Sequence, residues 1–125
     1  MGSIDRGITL ATSAALQSEG KQFRVGAALL NKKEVIRTGR NSYKTHPKSK
    51  TRFCQIHAEF DCLIGLSPGD CSGATLFVVR IRRNGTIGMA KPCNWCRELI
   101  EKMGIRKVYY TNALGITVWE KVNAY

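Results

Sequence analysis

Two short clusters constrain this chain more than anything else in it. One is His57-Ala58-Glu59, the other Pro92-Cys93-Asn94-Trp95-Cys96. One imidazole, two thiolates and a spare carboxylate match a catalytic zinc site, which has three protein ligands and an open fourth position. Any fold of this chain has to bring the two clusters to one point. Cys-x-x-Cys at a helix start turns both sulfurs to one first-turn face, and the positive end of the helix dipole favours their thiolate forms. Pro92 suits the start of that helix, where its missing N–H needs no partner. Glu59 lies too close to His57 for both to point the same way along an ideal helix. At a helix start, however, its carboxylate can face a metal-activated water without joining the metal. There it serves as general base and then general acid.

Each cluster alone is a weak signal. Cys-x-x-Cys also occurs in structural zinc ribbons and redox motifs. A ribbon needs a fourth ligand, and the spares Cys54, Cys62, Cys71 and His46 form no second Cys-x-x-Cys. A thioredoxin-type motif follows the first strand of a βαβ unit, whereas this one comes late. A non-catalytic zinc-binding module remains the alternative from another class, and it leaves Glu59 without a role.

Hydrophobic spacing places the clusters on elements. Ile4, Ile8, Ala11 and Ala15 predict a helix over 4–19, stopped by Gly20. Val25 to Leu30 and Glu34 to Thr38 read as a hairpin turning at Asn31-Lys32-Lys33. Residues 41–55 are polar and basic and read as a long loop. His57 to Leu66 predicts a helix that puts Cys62 in the core. Ala74 to Ile81 is a strand buried on both faces, and Arg82 to Ala90 a glycine-containing connection. Cys93 to Met103 is a helix, Lys107 to Thr111 a strand, and Ile116 to Val122 a loosely alternating stretch. This order predicts an α/β fold: a three-layer α/β/α sandwich with a mixed five-stranded sheet, one domain over 1–125.

Composition excludes other classes. With 43% hydrophobic and 23% charged residues the chain is not a disordered tail. No apolar run approaches the roughly 18 residues of a transmembrane helix. Five cysteines cannot all pair. With no signal peptide legible, reduced thiols and a cytoplasmic location are expected. The net charge is +11, and residues 31–52 carry eight cations against Glu34 alone, a net +7. A second group is Arg80, Arg82 and Arg83. Such basic segments serve phosphates, from one nucleotide up to a strand, or are simply solvated loops.

The H-x-E and P-C-x-x-C pair is the signature of zinc nucleobase deaminases. The chain therefore resembles the zinc-dependent cytidine deaminase-like superfamily, including its small phage-type members, over most of its length. Phe23-Arg-Val-Gly-Ala-Ala-Leu-Leu30 is similar to the first strand of cytidine deaminases. Thr38-Gly-Arg-Asn41 is similar to the second, and Gly104 to Tyr110 to the stretch entering the fourth. The resemblance implies His57, Cys93 and Cys96 as Zn²⁺ ligands and Glu59 as the proton shuttle. It implies Phe23, Val25, Asn41 and the backbone of Ala58 as substrate contacts. It further implies hydrolytic deamination of cytosine to uracil in a free nucleotide or nucleoside, deoxycytidylate first; the charge of the basic loop 44–52, with Lys44, His46 and Lys48, would then hold its phosphate. The alternative is deamination of cytosine or adenine in single-stranded DNA or RNA, with Tyr109, Tyr110 or Trp95 as stacking faces. A short chain end after Tyr110 is similar to the antiparallel last hairpin of free-nucleoside enzymes. Family members commonly assemble as dimers or tetramers, so a homo-oligomer is implied, and no membrane partner.

Overall fold

A computed structural model describes residues 3–18, 23–32, 34–42 and 57–122. Its elements are α1 (Ser3–Leu16), β1 (Phe23–Asn31), β2 (Glu34–Arg40), α2 (Ala58–Leu63) and α3 (Pro68–Cys71). After these come β3 (Thr75–Arg82), β4 (Ile87–Gly88), α4 (Asn94–Lys102), β5 (Lys107–Thr111) and β6 (Thr117–Lys121). The sheet runs β2-β1-β3-β5-β6, with β4 paired to β3 off that path. Among the described residues only β3 and β5 pair in parallel, and the other pairs are antiparallel. The expected mixed sheet of five strands is present, with the short β4 as a sixth.

β1 and β3 are apolar along their length because both their faces are covered. Ala28, Leu30, Phe77, Val79 and Ile81 turn to one side, where Ala11 and Ala15 of α1 pack on them. Ala27, Leu29, Leu76 and Val78 turn to the other, against Ala58, Cys62 and Leu63 of α2 and Ile100 and Met103 beside α4. This period-two alternation between two helical layers is the three-layer sandwich.

Several boundaries differ from the sequence expectation, for local reasons. α1 stops at Leu16 rather than 19. Ser18 has left the helix, and its hydroxyl bonds Asn41 instead. α2 ends at Leu63, and the chain then makes the separate turn α3. Ser67 caps α3 by accepting from the Asp70 amide while the Asp70 carboxylate accepts from the Ser67 amide, a capping box. Pro92 lies one residue before the N-cap of α4, not in its first turn as expected. A proline there disfavours helical backbone at the residue before it, Lys91. The segment read as a mere connection contains β4, which folds back along β3 through the turn at Asn84-Gly85.

Candidate active site

His57 and Cys93 occupy equivalent places. Each is the N-cap of a helix, His57 of α2 and Cys93 of α4, and neither side chain makes a capping hydrogen bond. Ser, Thr, Asp or Asn usually stands there, and losing the cap costs about 1 kcal/mol. Both ends give up that bond and aim a metal-ligand side chain at the same point. Cys96, one turn into α4, supplies the third.

The three ligand atoms lie within 4.8 Å of one another. His57 Nδ1 is 3.5 Å from Cys93 Sγ and 3.4 Å from Cys96 Sγ. A tetrahedral zinc with Zn–N and Zn–S bonds of about 2.1 and 2.3 Å separates its nitrogen and sulfur ligands by about 3.6 Å. The donor set and its spacing therefore fit zinc. Burial keeps the imidazole below its usual range, in the neutral form a metal binds. Burial also pushes the Cys96 thiol up, helped by the neighbouring Glu59 and Cys93. A divalent cation at the cluster reverses that preference and holds the thiolate.

Glu59 sits in the first turn of α2 and is buried, only 5% exposed. Burial raises its carboxyl above the usual carboxylate range, opposed by a hydrogen bond from its own backbone and one with Cys96. A carboxyl that shifts toward neutrality and lies against a metal ligand is suited to taking and returning a proton.

A cavity of about 150 Å³ opens over the cluster, lined by Val25, Asn41, His57, Ala58, Glu59 and Cys93 among others. All six were expected at the site from sequence. Asn41 also builds it: its Oδ1 accepts from the Val25 amide at 2.8 Å and its own amide donates to the Val25 carbonyl at 3.0 Å. The side chains of Phe23 and Trp95 lie outside the described residues, as do Lys44, His46, Lys48 and Cys54. Tyr109 and Tyr110 belong to the sheet rather than the cavity. Tyr109 stacks on Phe77 at 5.1 Å, and Tyr110 is buried with its hydroxyl donating to Glu120.

Sequence reasoning did not place four further lining residues at the site: Arg80, named only within a basic group, and Met89, Ala90 and Lys91. The last three ride on the β3–β4 hairpin and its exit. Asn84-Gly85, a strong short-range hairpin signal, was the clue to it. The segment is anchored where Ala90 N donates to Thr111 O at 2.8 Å and Thr111 Oγ1 donates to Gly88 O at 2.7 Å.

Residues 1–112 match the family described as the cytidine and deoxycytidylate deaminase zinc-binding region. The chain belongs to this family. It is a deaminase of the cytidine and deoxycytidylate type, its family binds zinc, and His57, Cys93 and Cys96 lie close together as a group that could hold the ion. A deoxycytidylate deaminase of Mycobacterium phage D29 is 28% identical over 122 residues, covering 81% of this chain and 88% of the relative. The cytidine deaminase of Burkholderia pseudomallei superposes with a TM-score of 0.68 at 23% identity, over 94% of this chain and 91% of the other. The dCMP deaminase of cyanophage S-TIM5 gives 0.59 at 23% identity, over 86% and 81%. At that identity the two structures speak to the fold alone. Among the described residues, no helix is long and apolar enough to cross a membrane.

Proposed function

We propose that this chain hydrolyses the amino group from the cytosine of a free nucleotide, deoxycytidylate first, and releases uracil nucleotide and ammonia. The observation that carries the reading is Glu59, a buried carboxyl in hydrogen-bond contact with Cys96 and lining the same cavity as His57 and Cys93. His57, Cys93 and Cys96 would hold the zinc, which would supply the Lewis acidity that brings a water's pKa toward about 7. Glu59 accepts a proton from the water that attacks C4. It then donates that proton to ring N3, takes the remaining proton from the hydroxyl added at C4, and passes it to the amine as the C4 carbonyl forms and the C4–N bond breaks. Val25 and the backbone of Ala58 wall the base, and Asn41 stands where the sugar enters.

Two observations support a free monomer over a strand. β6 runs antiparallel to β5, as the resemblance to free-nucleoside enzymes leads one to expect. Neither Tyr109 nor Tyr110 lines the cavity, which removes two of the three stacking faces a strand would use.

The test is ammonia release by the zinc-loaded protein from dCMP, cytidine and a cytosine-containing single-stranded oligonucleotide. Turnover of dCMP is expected, and turnover of the oligonucleotide alone would reverse the assignment. Glu59→Ala should keep about one zinc per chain and lose turnover by about a thousandfold. A variant that stays active takes Glu59 out of the mechanism.

A further inference from the structure

We propose that Arg80 and Lys91 form an anion subsite on the cavity wall that reads the 5′-phosphate of the substrate and sets the preference for nucleotide over nucleoside. This rests on the cytosine-nucleotide reading above and adds its phosphate recognition. Both residues line the cavity that holds His57, Glu59 and Cys93. Glu59, the proton shuttle, is the one carboxylate among the described lining residues.

Arg80 is placed by the sheet. It pairs with Val25 of β1 on one side and Gly88 of β4 on the other. Strand alternation puts it on the face of Leu76 and Val78, the face that carries α2 and α4. Its position is therefore set by ladders on both edges of β3, with Val25 as its neighbour on the cavity wall. The arginine cluster seen in sequence divides here. Arg82 donates to Ile87 O at 3.1 Å, Thr86 Oγ1 at 3.3 Å and Ala113 O at 2.8 Å, stapling the β3–β4 hairpin to the β5–β6 turn. Arg83 is exposed in the hairpin turn. Only Arg80 of the three lines the cavity.

Lys91 is ion-paired to a carboxylate that does not line this cavity. Its Nζ lies 3.2 Å from Glu120 Oε1, and Arg97 Nη2 lies 2.9 Å from Glu120 Oε2. Two cations thus share one carboxylate, which also accepts from the Tyr110 hydroxyl at 2.8 Å. The group keeps a net positive charge while Lys91 is fixed at the cavity edge. A nucleoside monophosphate carries close to two negative charges at neutral pH. At the cavity wall it would meet the Arg80 guanidinium and the Lys91 ammonium, a planar fork and a point charge that both recognise phosphate.

The test compares kcat/KM for dCMP and deoxycytidine in zinc-loaded wild type, Arg80→Gln, Arg80→Lys and Lys91→Met. Arg80→Gln should cut the dCMP-over-deoxycytidine preference by about tenfold or more, through KM, the worth of one charge-assisted hydrogen bond. Arg80→Lys should recover part of it, and Lys91→Met should lose less. Equal losses on both substrates, or an unchanged ratio, overturn the subsite while leaving the deaminase reading intact. A wild type that turns over neither monomer overturns both. An oligonucleotide without terminal phosphate serves as a third substrate. A loss confined to it would mean that Arg80 reads a phosphodiester, and the monoester subsite would fall.

Discussion

Gly39 lies where β2 and α2 meet backbone to backbone. A Cβ there would sit 2.5 Å from Cys62 N and 2.6 Å from Ala58 O. Ala58 and Cys62 flank Glu59 on α2, so the missing side chain sets how deep the helix and its N-cap His57 lie over the sheet. Further bonds hold the same contact: Arg37 Nη1 donates to Ile64 O, and the Arg40 amide donates to Asp61 Oδ2 at 3.0 Å. Gly39→Ala should therefore destabilise the protein by about 1–3 kcal/mol, as overpacking does. It should also weaken zinc retention, because His57 moves away from Cys93 and Cys96. Denaturant midpoints and zinc loss to a chelator read the two effects separately, and unchanged zinc retention would break the link. The cysteines also divide at this scale. Cys62 is buried among apolar groups, its thiol pushed up to about 12 by burial, and it donates to Arg37 O at 3.5 Å. Cys71 is fully buried too. The expectation that Cys62 is a core residue holds because its place on the apolar face of a helix was readable from spacing.

Among elements, β6 ties the end of the described chain to the metal helix. Glu120 receives Tyr110 from β5, Arg97 from α4 and Lys91 from the segment leading into Cys93. The Tyr110 hydroxyl first of all, with Lys91 and Arg97, holds its carboxyl below the usual range. A depressed carboxyl binds fewer protons folded than unfolded. Its contribution to stability is thus present above the unfolded value and lost as pH falls through the folded one. Glu120→Gln should cost about 1 kcal/mol at pH 7, discounted for partial exposure. The gap to wild type should close as pH drops below about 4. Urea melts across that range check it, and a gap independent of pH would exclude the ionised carboxylate as the cause. Nothing in the loosely alternating stretch 116–122 singled out Glu120. Its three partners come from three other segments and meet only when the sheet is assembled.

For the molecule as a whole, a zinc ion held by His57, Cys93 and Cys96 would connect two helix ends on one face of the sheet. α2 begins at His57 and α4 at Cys93, and the ligands of both converge. A ligand present at a hundred times its Kd stabilises the folded state by about 2.7 kcal/mol. For a chain of this length, chelation should therefore lower the melting temperature by roughly 10 °C. It should spare the strand signal in circular dichroism, because the sheet is held by its own two apolar layers. A scan with and without chelator, followed by zinc add-back, measures this. An unchanged melting temperature would mean that the ligands do not bridge the helices.

The chemistry was legible in the linear chain because it depends on residue type and short spacing. His57, Glu59, Cys93 and Cys96 are marked by local patterns, and helix starts present them wherever the helices lie. The layers were legible too. A strand apolar at every position, like β3, has to be covered on both sides. Arg80, Met89, Ala90, Lys91 and the Glu120 cluster were not legible. Their positions depend on which strand pairs with which, and in what register: Val25 with Arg80, Arg80 with Gly88, Tyr110 with Val118. Alternation along a strand tells which face a side chain takes and says nothing about its partner across the ladder. That choice is made by long-range packing. It gives the cavity its cationic wall.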